Sequence, residues 1–319
     1  MVARSSSPSL SIPSATVPIG SLGRRRRRRQ ALFIAVCLLP TFVLIGTFNY
    51  YPLASALYHS LFTWDGFSAP KYVGLQNFTN LWSDPAIQAS IKNMGILALS
   101  AVLITVTTPL LAAELVLAVR NARLLKLYRA LLVVPIVVPQ LVTLLLWSFM
   151  YDPSLGVINS LLSEVGLGAL QPQWLGDPSI ALYAIIGIGF PWVAGLNFLL
   201  YLAALQNIPA EIHDASQLDG AVGWRRAIMI DLPQITVQIR LLITLALITV
   251  MQTFTSVWVL TQGGPGYATT VPGVVLYQQA FQFSNFGYAS AIGAMIFLVT
   301  LAMTVLSNGL GRLLSRGGV

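Results

Sequence analysis

The chain has 319 residues, 56% of them hydrophobic and only 9% charged, where a soluble domain carries roughly a quarter charged residues. With a mean hydropathy of +0.76 there is too little polar surface to face water, which excludes an ordinary soluble enzyme and makes this a polytopic membrane protein. The net charge of +8 points to a membrane surface rather than to nucleic acid, because the basic residues sit beside apolar runs.

Residues 1–30 are rich in Ser and Pro and close on six consecutive arginines, Arg24 to Arg29. Such a segment buries too little apolar area to fold, so a disordered, basic cytoplasmic tail is expected, with the arginines as a topology anchor on anionic lipid. A basic stretch before an apolar run also opens a secretory signal, but the run 31–51 is too long for one and no A-x-A-like site ends it. It reads as a retained first span. Cys37 inside it is the only cysteine, which rules out an internal disulfide or a cysteine zinc site.

A span needs about 20 mostly apolar residues. Stretches 31–51, 94–119, 127–151, 180–205, 239–260 and 288–310 qualify, whereas 210–230 and 268–282 are too polar to cross. The expected fold is all-α with six transmembrane helices, residues 31–313 forming one transmembrane domain.

Orientation follows from Lys and Arg. With the N-terminus inside, the inner segments hold Arg4 with Arg24–Arg29, then Arg120, Arg123, Lys126 and Arg129, then Arg225, Arg226 and Arg240, then Arg312 and Arg316, 16 of the 18 basic residues. The outer segments hold only Lys71 and Lys92, against Asp65, Asp84, Asp152, Glu164 and Asp177. Both termini are therefore expected in the cytoplasm.

Between spans four and five lies a cytoplasmic island from Glu211 to Pro233 that holds four of the ten acids and one of the two histidines. Pro209 suits the first turn of a helix. Ile212, Ala215, Leu218, Ala221 and Val222 recur at helical steps, and Gly220 and Gly223 allow a sharp turn before Trp224 to Ile230 resume the pattern. An amphipathic helix on lipid usually presents Lys or Arg. This one leads with Glu211, Asp214 and Asp219, which anionic lipid repels, so a protein partner is the better occupant of its surface.

The segment from Asp214 to Pro233, DASQLDGAVGWRRAIMIDLP, resembles the EAA loop in membrane subunits of bacterial ABC importers. Asp214-Ala215-Ser216, Asp219-Gly220-Ala221, Trp224 and Ile230-Asp231-Leu232-Pro233 occupy the pattern's positions. The departure is Asp214 where the family usually has Glu, a carboxylate shorter by one methylene. The segments VWVLTQGGPGYATTV after span five, YQQAFQFSNFGYASA before span six, RALLVVPIVVPQLV at span three and GLQNFTNLW after span one are similar to the carbohydrate-uptake branch, as in the first permeases of maltose and glycerol-phosphate systems. The resemblance runs from about Ala31 to Leu310.

That resemblance implies a type I ABC importer fold and a permease with no enzymatic chemistry of its own. It implies that the loop at 209–233 couples to a cytoplasmic ATPase through Asp214, Ala215, Ser216, Asp219, Gly220, Ala221, Trp224 and Pro233, with Gly220 making the bend. The implied partners are a second permease subunit, two copies of a P-loop ATPase that uses ATP and Mg, and an extracytoplasmic solute-binding protein, all at a bacterial cytoplasmic membrane. The chain has no G-x-x-x-x-G-K-[ST] phosphate cradle of its own.

Polar and aromatic residues inside spans are costly and tend to face a cavity. Candidates for a substrate path are Gln140 and Trp147 in span three, Trp192 and Asn197 in span four, and Gln252, Thr253, Ser256 and Trp258 in span five. Interhelical packing is the competing role for each. The segment Gln252-Thr253-Phe254 matches in spacing the amide-rich stretch that contacts sugar in maltose-type permeases. The alternative substrates are glycerol phosphate or a polyol. A polytopic membrane enzyme would need catalytic acids or histidines clustered at one face, and a proton-coupled carrier would need paired intramembrane carboxylates where only Glu114 stands. His59 and His213 fall on opposite sides and cannot share a metal. Asn77-Phe78-Thr79 matches a glycosylation acceptor that reads as incidental.

Overall fold

A computed structural model describes residues 22–119, 121–193 and 195–316. Residues 1–21, most of the expected tail including Arg4, lie outside the described residues, as do Arg120 and the side chains of Arg24, Arg25, Arg312 and Arg316. The chain divides into two compact units, Met1–Ser55 and Ala56–Val319.

The described part of the first unit is helical. Helix Leu22–Ile45 passes through a π-turn at Gly46–Tyr50 and continues as Tyr51–His59. The helix thus starts at Leu22 and not at Ala31, so residues 22–30 are helical where disorder was expected. Arginine is a good helix former, and the apolar run behind it lets the helix propagate backwards into the basic segment. Leu32, Phe33, Val36, Phe42 and Phe48 along this helix are exposed, a surface that hydrocarbon accepts and water does not.

The spine of the second unit is the 33-residue helix Pro85–Leu117. Its apolar run begins at Met94, but the helix begins where Asp84 caps it, accepting a hydrogen bond from the Ala86 amide at 2.8 Å with Pro85 in the first turn. One end of this helix packs with Leu81, Val275, Tyr288 and Ile292. The other end, at Ala113 and Val116, packs with Phe198, Tyr201, Leu205, Ile208, Ile235 and Leu242. Between them Met94 and Leu97 meet Leu182, Ile185, Val250, Val257 and Val274.

Among the described residues three uninterrupted helices are long and apolar enough to cross a membrane, the others being Arg26–His59 and Phe286–Ser307. The remaining apolar runs are broken, where the hydropathy pattern predicted straight spans. Span three becomes Ala122–Val133, a 3₁₀ turn Val134–Val137 and Gln140–Met150, with a bend of 93°. Pro139 causes it, because a residue before proline avoids the helical region, and Val138 sits at ψ 123°. Span four becomes Ala181–Gly187 and Gly195–Gln206. The gap contains Gly189 at φ +80°, Trp192 at φ +57° and a cis Phe190–Pro191 peptide. Span five starts as Trp224–Gln234, bends by 75° into Thr236–Met251, breaks at 252–254 and resumes as Thr255–Leu260. A last helix covers Phe286–Arg316.

Near Asp84 the strands Phe62–Thr63 and Lys71–Tyr72 pair antiparallel. The Asn77 amide is 6% exposed and donates to the Ser60 and Phe62 carbonyls at 2.8 and 2.9 Å. It pins this hairpin and has no surface to offer a glycan.

Candidate functional site

The island folds as two short helices at a glycine corner. Helix Ala210–Leu218 starts at Pro209 and ends in a Schellman motif. The Ala221 amide donates to the Ser216 carbonyl at 2.8 Å and the Gly220 amide to the Gln217 carbonyl at 3.1 Å, with Gly220 at φ +71°. Gly223, at φ +56°, turns the chain again into Trp224–Arg226, a π-turn at Ala227–Asp231 and Leu232–Gln234. A methyl group at Gly220 or Gly223 would meet nothing within 4 Å, so both glycines are demanded by backbone angle alone.

The eight motif residues separate into two groups. Asp214, Ala215, Asp219, Gly220, Trp224 and Pro233 are exposed, as are Leu218 and Val222 between them. Ser216 and Ala221 are buried. The Ser216 hydroxyl donates to the His213 carbonyl at 2.7 Å, so these two hold the helix and its corner together and offer no docking surface.

Beneath the island lies a polar group that the sequence pattern did not single out. Asp231 is 1% exposed. Its Oδ2 accepts from Arg226 Nε at 2.9 Å, and its Oδ1 lies 4.0 Å from His213 Nδ1. Neither Asp231 Oδ1 nor His213 Nδ1 has a hydrogen-bond partner among the described residues, and neither has the buried Glu114 Oε1. Glu114 interacts electrostatically with both Asp231 and Arg226. The acid in span two is therefore within electrostatic reach of the island. The available signal was an Arg five residues ahead of an Asp beside the membrane-entry proline, a spacing that only the π-turn brings into register.

The substrate-path candidates collect at the two mid-span breaks. Ile186 and Ile188 at the break of span four share an apolar cluster with Met251 and Phe254 at the break of span five. Gln252, exposed, ends the Thr236–Met251 helix, and Thr253 and Ser256 are half-buried beside it. The close approach of Gly273, whose missing methyl would lie 3.4 Å from the Thr253 carbonyl and the Phe254 Cβ, stabilises this kink. Non-helical backbone at membrane depth needs a cavity or protein around it, so the breaks are better markers of a path than the residue types. Trp192 is committed elsewhere, its indole donating to the Ile186 carbonyl at 2.9 Å. Asn197 is half-buried and has no side-chain hydrogen bond among the described residues. Trp147 packs on Tyr151 and Trp258 on Tyr277 and Phe254, which is packing, and Gln140 starts its helix at the exposed bend.

At the opposite end an open cavity of about 620 Å³ is lined by Lys92, Asn93, Ser179, Tyr183, Pro265 and Tyr267 among others, and none of the path candidates borders it. Among the described residues no group of three or more His, Cys, Asp or Glu side chains can hold a metal ion. His59 stacks on Trp64 at 4.2 Å.

The model of the binding-protein-dependent transport system inner membrane component family matches residues 106–317. A probable ABC transporter permease of Pyrococcus horikoshii is 33% identical, over 88% of this chain and 96% of its own. The diacetylchitobiose uptake system permease of Streptomyces coelicolor is 30% identical, over 94% of this chain and 89% of its own. A solved bacterial ABC transporter involved in the import of the acidic polysaccharide alginate superposes with a TM-score of 0.79 at 24% identity, covering 92% of this chain and 99% of that one.

Proposed function

The chain belongs to the family of binding-protein-dependent transport system inner membrane components, with the fold of a type I ABC importer permease, and we propose that it carries a sugar or oligosaccharide across the bacterial cytoplasmic membrane. ATP and Mg are used by a separate P-loop ATPase, two copies of which drive the import through residues 209–233. A second permease subunit completes the channel, and a solute-binding protein delivers from outside. The asymmetry of Lys and Arg puts both termini and the island in the cytoplasm.

The observation that carries this reading is the surface of the island. Asp214 and Asp219 are exposed beside Leu218, which is 90% exposed, and Trp224, which is 65% exposed. Uncovered apolar side chains of that size, set among acids, fit a groove in another protein and do not fit an anionic bilayer. Asp214 is the charged contact, Asp219 and Trp224 flank it, and Gly220 sets the angle. Sugar as cargo rests on the relatives, which act on diacetylchitobiose in one case and alginate in another. The break at Gln252 and Thr253 supplies amide and hydroxyl groups for its hydroxyls, with Ser256 next along span five and Asn197 just past the break of span four.

The test is capture of the complex through a tag on this chain, followed by ATP hydrolysis and uptake assays in vesicles with diacetylchitobiose, lactose and glycerol 3-phosphate. Replacing Asp214→Ala removes a charged partner worth about 2 kcal/mol, a roughly thirtyfold loss of ATPase affinity, with the permease still inserted. A captured complex without an ATPase, or Asp214→Ala with unaltered docking, overturns the proposal. Uptake of glycerol 3-phosphate alone would replace sugar by a phosphorylated polyol.

A further inference from the structure

A docked ATPase can move the bundle only if the Ala210–Leu218 helix is mechanically tied to it. The covalent route is compliant. It runs through two glycines at positive φ, a π-turn and a 75° bend before it reaches Thr236–Met251. Packing of Ile212 and Leu232 on the apolar cluster holds the helix down but does not fix a direction. The polar group under the island is the one directional tie between these segments among the described residues. Arg226 clamps one oxygen of Asp231 at 2.9 Å within the stem of span five. The second oxygen is buried and unbonded, and it faces His213, on the docking helix itself, at 4.0 Å. Hydrogen-bond contact requires a closing movement of about 1 Å. Glu114, on the Pro85–Leu117 helix, lies within electrostatic reach of both Arg226 and Asp231.

From this geometry we infer that Asp231 is the positioning residue of coupling, a buried carboxylate held by Arg226 with its free oxygen waiting for His213. Pressure on the docking helix closes His213 Nδ1–H onto Asp231 and hands the displacement to the stem of span five. The neutral Nδ1–H tautomer suffices as donor. Because the tie is polar, it has discrete made and unmade states, as a transmitting element requires. This inference rests on the ATPase docking proposed above.

The experiment uses the complex captured through a tag on this chain and placed in lipid discs, in a Cys37→Ser background with Gln252→Cys as reporter at the mid-span break. Maleimide labelling of that cysteine is timed with and without ATP plus vanadate, and ATP hydrolysis is measured alongside. The parent is expected to change its labelling rate about tenfold on trapping, as a shift between two access states requires. His213→Phe, which keeps a ring but removes the donor, should abolish that change while the ATPase still binds and hydrolyses. His213→Asn, whose amide can donate from a similar position, should restore it. Arg226→Gln should also reduce it, since Asp231 is then no longer held. A parental response in both His213→Phe and Arg226→Gln overturns the inference and leaves docking intact. Failure of both variants to insert assigns the group to folding and also overturns it. A parent that captures no ATPase, or shows no ATP-dependent change, overturns the functional reading and this inference together.

Discussion

Two glycine-bearing loops at opposite ends of the Pro85–Leu117 helix are built on opposite principles. The loop at 261–270 is tied from all sides. Thr270 Oγ1 donates to the Gly263 carbonyl at 2.8 Å, Thr269 Oγ1 to the Gly264 carbonyl at 2.7 Å, and the buried Asn93 amide to the Tyr267 and Thr270 carbonyls at 3.0 and 2.9 Å. The island at 210–233 keeps six of its eight motif residues exposed, with Asp231 buried on its inner side. A loop crossed by this many hydrogen bonds from its own protein is a fixed wall. A loop with uncovered surface and one polar tie is a moving part that still awaits its partner.

The contrast is sharpest at the glycines. Gly263 sits at φ +93°, and a methyl there would lie 2.7 Å from Thr270 Oγ1 and 3.2 Å from Val274 Cγ1. Gly263→Ala therefore meets both a forbidden angle and a clash and should cost about 3 kcal/mol, read as a lowered melting temperature of the solubilised protein. Asn93→Ala takes the side-chain donor from the buried Thr270 carbonyl and leaves the Tyr267 carbonyl only the Thr270 amide at 3.3 Å, and should cost about 2 kcal/mol in the same assay. Gly220→Ala has open space around it, so only the backbone angle opposes it. About 1 kcal/mol is expected, with the melting temperature barely moved and ATPase capture reduced. Equal effects at Gly263 and Gly220 on melting would break the comparison.

The smallest effect concerns the acids at the wall end. Asp65 accepts hydrogen bonds from the Phe67 and Ser68 amides and the Ser68 hydroxyl at 3.0, 2.8 and 2.8 Å. These bonds, first among them that from the Ser68 amide, hold its carboxyl at about 2, below the ordinary 3.8. Asp152 and Asp177 are lowered for the same reason by Ser154, Leu155 and Ser179. A depressed carboxylate stabilises above its unfolded value, so the Asp65 turn should hold above pH 3.8 and loosen as pH falls towards 2. Limited proteolysis by an acid protease at 62–72 should rise over that window in the parent and already be high in Asp65→Asn.

Much of this was legible because it is local. Apolar runs marked the spans, Asp84–Pro85 carried a start signal that outranks hydropathy, and the prolines of VVPIVVPQ carried the 93° bend that a straight-span count overlooked. Gly220 and Gly223 announced the corner. The break at 252–254 had no such warning, since Gln-Thr-Phe contains neither glycine nor proline and packs against Gly273 of another segment. Ser216 and Ala221 belong to the motif in sequence, yet the fold turns them inward. Asp231 lay within the motif in sequence, with nothing to mark it as the buried acid.

By itself the sequence determined that this protein lives in a membrane, where its apolar runs lie and where its charges gather. Those properties follow from transfer free energy and net charge, which are sums over composition and short windows. Only the tertiary structure decided which distant segments pack together: the two mid-span breaks against one apolar cluster, and Asp231 set between Arg226 and His213 under the island, within reach of Glu114. Such pairings depend on the angle at which distant segments cross, and a π-turn or a kink changes that angle without altering the composition of any window.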